Sequence, residues 1–158
     1  MKGIPSAVGA VLLACLIAHA KDTPNNANKF DHAEYMQATA AGQKRAAPAV
    51  KGTLSFDAGK KSVDFLDQKG ALAFSIKCDS IKTILYEQTS KPRYAEAILI
   101  SPLFIFSHSK KHFITIQYTD TAGVGQFVIV HLDKKNAREI VAVAEAQTGK
   151  KVEHVEEK

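Results

Sequence analysis

From Lys51 onward the chain alternates apolar and polar residues with a period of two, and no other feature constrains its fold as much. Leu54 and Phe56 alternate with Thr53 and Ser55, and Val63 and Phe65 follow. Leu72, Phe74, Ile76 and Cys78 then alternate against Ala71, Ala73, Ser75 and Lys77. Successive side chains of a strand point to opposite faces, so each run reads as a half-buried strand. The breaks, Asp57-Ala58-Gly59-Lys60 and Asp67-Gln68-Lys69-Gly70, are short turn-forming stretches. Together they predict an antiparallel meander.

Beyond it, Ile81, Ile84 and Tyr86 continue in an extended or bulged stretch. His112–Tyr118 and Gln126–Leu132 form a further strand pair across the glycine-containing segment 119–125. The period then changes. Asp133 is the expected N-cap of a helix over Lys134–Thr148, with Ala137, Ile140, Val141 and Ala144 on one face. Gly149 is the expected C-cap, and Lys150 and Lys151 sit at the negative end of the helix dipole. Residues 152–158 are charged and expected to fray. The fold class is therefore mainly β (α+β): an antiparallel β-barrel or strongly bent sheet capped by one C-terminal α-helix, which buries its apolar mouth.

The N-terminus is built differently. Lys2 supplies a positive start, Ala7–Ile17 an uncharged apolar run, and Ala18-His19-Ala20 small residues at both positions of a cleavage site. Residues 1–20 thus read as a secretory signal peptide. The run is shorter than the roughly 20 residues a bilayer span needs. Leu12-Leu13-Ala14-Cys15 offers the alternative of a lipoprotein anchored through Cys15. Cleavage after Ala20 leaves an exported chain, periplasmic, envelope-associated or secreted. It has no transmembrane helix, and Cys78 is its one thiol, so a packed core must supply stability in place of an internal disulfide. Residues 21–50 are expected to be a weakly structured N-terminal arm: turn formers crowd 22–28, and a short helix over Ala33–Gln43 would bury mostly alanine.

Three stretches carry a resemblance: Gly52-Thr53-Leu54-Ser55-Phe56, Ile81-Lys82-Thr83-Ile84-Leu85-Tyr86-Glu87, and Lys110-Lys111-His112-Phe113-Ile114-Thr115-Ile116-Gln117-Tyr118. With the helix Asn136–Thr148 their order resembles the pleckstrin-homology-like superfold, which includes GRAM-type domains, over residues 51–151. The second and third stretches also resemble small exported bacterial proteins. The superfold implies a module that binds phosphoinositides, peptides or protein surfaces. The chain departs from its lipid-binding members in having no tryptophan. The basic pair Lys60 and Lys61, a candidate anion contact, is followed by Ser62-Val63-Asp64, without the further basic residue those members carry.

The segment Ala97–Phe106 is almost wholly apolar, is broken by Pro102, and has Lys91 and Arg93 before it and Lys110 and Lys111 after it. Two readings stay open: a buried strand, or a greasy loop whose flanks meet anionic headgroups. The second makes Lys91, Arg93, Leu99, Leu103, Phe104, Lys110 and Lys111 the candidate surface contact. The net charge of +5 is modest, and no dense Arg/aromatic face points to nucleic acid. His108 and His112 have helical ligand spacing but bracket two lysines at a turn-to-strand boundary. Asp31-His32-Ala33-Glu34 is a possible chelate in the arm, read as polar side chains facing water. Ser101, Ser107 and Ser109 lack a nucleophile-elbow context, and Cys78 reads as buried and inert. No glycine loop for phosphates and no paired carboxylates appear, so no metal, cofactor or catalytic residue is expected. The expectation is an exported, non-enzymatic binding module that contacts an envelope or membrane surface or a protein partner. The alternatives are a barrel holding a small apolar ligand and an enzyme with an unfamiliar site.

Overall fold

The computed structural model describes residues 27–37, 47–96 and 109–156. Its strands are β1 (Ala27–Met36), β2 (Val50–Asp57), β3 (Ser62–Asp67), β4 (Leu72–Lys77), β5 (Ile81–Thr89), β6 (Lys111–Thr119), β7 (Gly125–Leu132) and β8 (Val152–Glu156). A helix, α1 (Ala137–Thr148), joins β7 to β8, and short 3-10 turns occupy Cys78–Ser80 and Arg93–Glu96. All eight strands form one sheet in the order β4-β3-β2-β1-β7-β6-β5-β8. The meander β2-β3-β4 and the pair β6-β7 are antiparallel, as the period-two runs predict. The β5·β8 pair is parallel.

The sheet does not close; β4 and β8 are its edges. It does bend. Strands pair about 4.8 Å apart, so a flat sheet would hold these edges roughly 34 Å from each other. Yet Ile76 of β4 and Val152 of β8 belong to one buried cluster with Ile140, Val141 and Ala144 of α1. The sheet therefore curls around the helix, and each strand adds a side chain to this inner core. Gly149 ends the helix in the left-handed conformation at φ 66°, as expected. The N-cap is Asn136 and not Asp133. Asp133 shapes the turn before it: its carboxylate accepts the Lys135 N–H at 2.8 Å, and its carbonyl accepts those of Asn136 and Ala137.

The arm expected over 21–50 is corrected where the structure describes it. Ala27–Met36 is a central strand, paired with β2 on one side and β7 on the other. Ala33–Met36 is thus strand, not helix. A bulge hides this in the sequence, because Asp31 and His32 together stand against Thr53 alone, between Phe30↔Leu54 and Ala33↔Gly52. The extra residue lets Phe30 and Ala33, three apart, face the same core, and His32 takes a φ of 59°. Gly52 is required at this crowded point, because a Cβ there would collide with the carbonyl of Leu66. The tail expected to fray contains β8, whose Val152 is buried. A second bulge, between Phe65↔Phe74 and Leu66↔Leu72, turns Leu72 out of the apolar face it was expected to share, and it is 59% exposed.

The outer face of the sheet is covered on its β1-β7-β6 side. Met36, Phe113 and Ile129 form a second buried cluster, with Ala49, Tyr94 and Phe127 packed against it. Tyr94, from the Arg93–Glu96 turn, lies 5.3 Å from Phe127 ring to ring, and its hydroxyl accepts the Gln117 amide N–H.

Candidate functional site: the basic end of the sheet

Strand register decides which charges meet. Thr89, the last residue of β5, is opposite Lys111, the first of β6, and His112 is opposite Leu132, the last of β7. Lys91 and Arg93 leave β5 at this end, and Lys110 and Lys111 enter β6 there. The four basic residues that flank 97–106 in sequence therefore converge at one end of three adjacent strands. The Asp133 turn adds Lys134 and Lys135, and the first turn of α1 adds Arg138. All of these but the half-buried Lys111 are exposed.

Acidic residues reach this end too: Asp133 in the same turn, Glu139 in the first turn of α1, and Glu156, opposite Gln88 in the parallel β5·β8 pair. Glu87 is 1% exposed; it accepts the Arg93 backbone N–H at 3.2 and 3.3 Å and stands 4.0 Å from the Arg93 Nε. Burial pushes its pKa above the usual carboxylate range, against the pull of the Arg93 N–H and charge. His112 Nδ1 bonds the Tyr86 hydroxyl, and burial, reinforced by the Lys134 charge, pushes the imidazole pKa down. Burial likewise lowers His131, with Lys111 and His112 acting in the same sense. Glu34, 3.2 Å from its Nδ1, opposes them.

Lys60 and Lys61 lie elsewhere. The Cys78 N–H donates to the Lys61 carbonyl, so their hairpin sits by the start of β5, whereas Lys91 follows its end. Lys60 is tied within its own turn: its N–H donates to Asp57 at 2.9 Å and its Nζ stands 3.6 Å from the same carboxylate. That backbone bond, foremost, holds the Asp57 carboxyl below its ordinary range. Leu99, Leu103 and Phe104 lie outside the described residues, as do His108, Ser101 and Ser107. In the second possible chelate, Asp31 accepts the Thr53 hydroxyl at 2.6 Å and Glu34 is engaged by His131. No cluster of three side chains suited to a metal occurs among the described residues. Cys78 is buried, and burial pushes its thiol pKa up.

Lys134, Lys135 and Arg138 were not singled out in the sequence. The available signal was Asp133-Lys134-Lys135-Asn136, a basic turn placed just past a strand that ends beside Lys110-Lys111.

No family model and no curated protein matches the chain. Among solved structures, 14 chains match. One, from the Spt16D–Pob3N heterodimer, superposes with a TM-score of 0.50 at 9% identity, covering 84% of this chain and 56% of that one. The chain thus spans just over half the length of that neighbour. At this identity the likeness concerns the fold alone, and it shows a pleckstrin-homology-like architecture.

Proposed function

We propose that the chain is an exported, non-enzymatic binding module whose basic end contacts an anionic envelope or membrane surface. The carrying observation is the register that gathers Lys91, Arg93, Lys110 and Lys111 beside Lys134 and Lys135. A lysine or arginine near an anionic bilayer contributes about 1 kcal/mol, and the attraction fades within the roughly 8 Å screening length at physiological ionic strength. Binding should therefore be strong in low salt and collapse as salt rises.

Flotation with vesicles of phosphatidylcholine alone, or mixed with phosphatidylserine, tests this. The protein should float with the anionic vesicles in low salt. Lys110→Glu/Lys111→Glu, and separately the exposed pair Lys134→Glu/Lys135→Glu, should each weaken binding about thirtyfold, the equivalent of about 2 kcal/mol. Folded wild type that ignores anionic vesicles in low salt would overturn the reading. Processing has its own test: a bacterial host should release a product whose intact mass begins at Lys21. A diacylglycerol on Cys15 would replace export of a free chain with lipid anchoring.

A further inference from the structure

The two edges of the sheet differ. The β8 edge shows Glu153 and His154 to solvent. The β4 edge, Leu72-Ala73-Phe74-Ser75-Ile76-Lys77, carries one charge in six residues. An exposed strand edge with so little charge is a template for another strand.

The hydrogen-bond pattern shows where its backbone points. The Cys78 N–H donates to the Lys61 carbonyl at 2.8 Å, so these two occupy a hydrogen-bonded antiparallel site. Such sites alternate along the register, so Val63–Ile76 and Phe65–Phe74 share the bonds between β3 and β4. At the sites between them, Ser62–Lys77 and Asp64–Ser75, the backbone groups point away from the partner strand. Ser75 therefore directs its N–H and C=O off the edge of the sheet, and so does Lys77, whose carbonyl also accepts the Ser80 hydroxyl at 2.7 Å. Beyond the bulge, the Asp67 N–H donates to the Ala71 carbonyl, which places Leu72 in the same outward class.

Along Ser75–Lys77 this edge borders a hollow of about 470 Å³, whose far wall is Tyr118–Thr121 at the start of the β6–β7 hairpin. Leu72, at the other end of β4, and Val124, 54% exposed in that hairpin's turn, are the two large apolar side chains most exposed among the described residues. Lys77 is exposed and makes no ion pair among the described residues.

We propose that the β4 edge takes up an extended segment of a partner polypeptide as a ninth, antiparallel strand. Backbone pairing to Leu72, Ser75 and Lys77 supplies affinity, and alternate side chains supply selectivity. Segment residues opposite Phe74 and Ile76 turn inward, where Ile76 and Tyr118 favour apolar side chains. Those opposite Ser75 and Lys77 turn outward, and an acidic residue there meets the Lys77 ammonium. The hollow between the edge and Tyr118–Thr121, about 470 Å³, is of a size for the side chains of a slender segment and not for the edge of a second folded copy. This surface is independent of the basic end.

The probe is an eight-residue peptide alternating valine with glutamate or threonine, added to the full-length protein and followed by amide exchange in NMR. In the free protein the Ser75 and Lys77 amides should exchange fast while those of Phe74 and Ile76 are protected. The peptide should slow Ser75 and Lys77 at least tenfold, and a copy N-methylated at alternate amides should not. Lys77→Glu should weaken the acidic peptide about tenfold and favour a lysine-containing one. Protection of Ser75 and Lys77 in the free protein, or peptide binding that leaves them fast, overturns the proposal. So does protection that appears without peptide as protein concentration rises, which would make the occupant a second copy.

Discussion

Glu87 is a carboxylate in a row of outer-face side chains that runs through Phe113 and His131 to Glu34. A carboxyl whose pKa is raised by burial favours the protonated folded state. Stability is then full below the unfolded value of about 4.3 and falls as pH rises through the folded value. Glu87→Gln keeps an acceptor for the Arg93 N–H and removes the ionisation. Urea midpoints measured from pH 4 to 7 should therefore decline for wild type relative to the variant. Parallel curves would mean that water reaches the carboxylate. The depressed His112 and His131 act in the opposite sense: their contribution is present above about pH 6.5 and is lost as pH falls through their lowered folded values. None of this was legible in the string Ile81–Glu87. Alternation puts Glu87 on the face of Leu85, but it does not say that this face is covered. The cover comes from the turn at Arg93–Glu96, whose placement depends on contacts with β6 and β7.

At the level of elements, strands with unbroken alternation were legible, and so was the helix, whose caps and apolar stripe are local signals. β1 was not, because its bulge spaces Phe30 and Ala33 by three and breaks the period. β8 was not, because four charged residues among the last seven conceal one buried valine. The basic site was half legible: four of its residues flank one segment, but Lys134 and Lys135 join them only through pairing of β6 with β7. Two substitutions separate a packed strand from a loose arm and a docked helix from a free one. Phe30→Ala, which removes a ring set edge-on 6.2 Å from Phe56, should cost about 3–5 kcal/mol. Ile140→Ala should cost about 2–5 kcal/mol. Chemical denaturation reads both, and a loss below about 0.5 kcal/mol in either would mean that its element is not part of the core.

At the scale of the whole molecule, strand pairing joins the two halves of the sheet at one long-range junction, inside the core they share around α1. The half-sheet β1–β4 meets the half-sheet β5–β8 through β1·β7 alone, over Glu34, Tyr35 and Met36, and the Glu34–His131 contact joins residues 97 positions apart. Closing so long a loop costs about 2 kcal/mol more than closing a ten-residue hairpin, and folds dominated by such pairings form in milliseconds to seconds. Stopped-flow refolding should fall in that range; completion within microseconds would mean that the halves dock before β1 pairs. The junction also sets a clock during synthesis. At about 5–20 residues per second, the ribosome needs roughly 5–20 s to travel from Glu34 to His131. Through that interval β1 has one neighbour, the sheet is unfinished, and the chain stays threadable, the state in which a translocation channel must receive it if residues 1–20 direct it there.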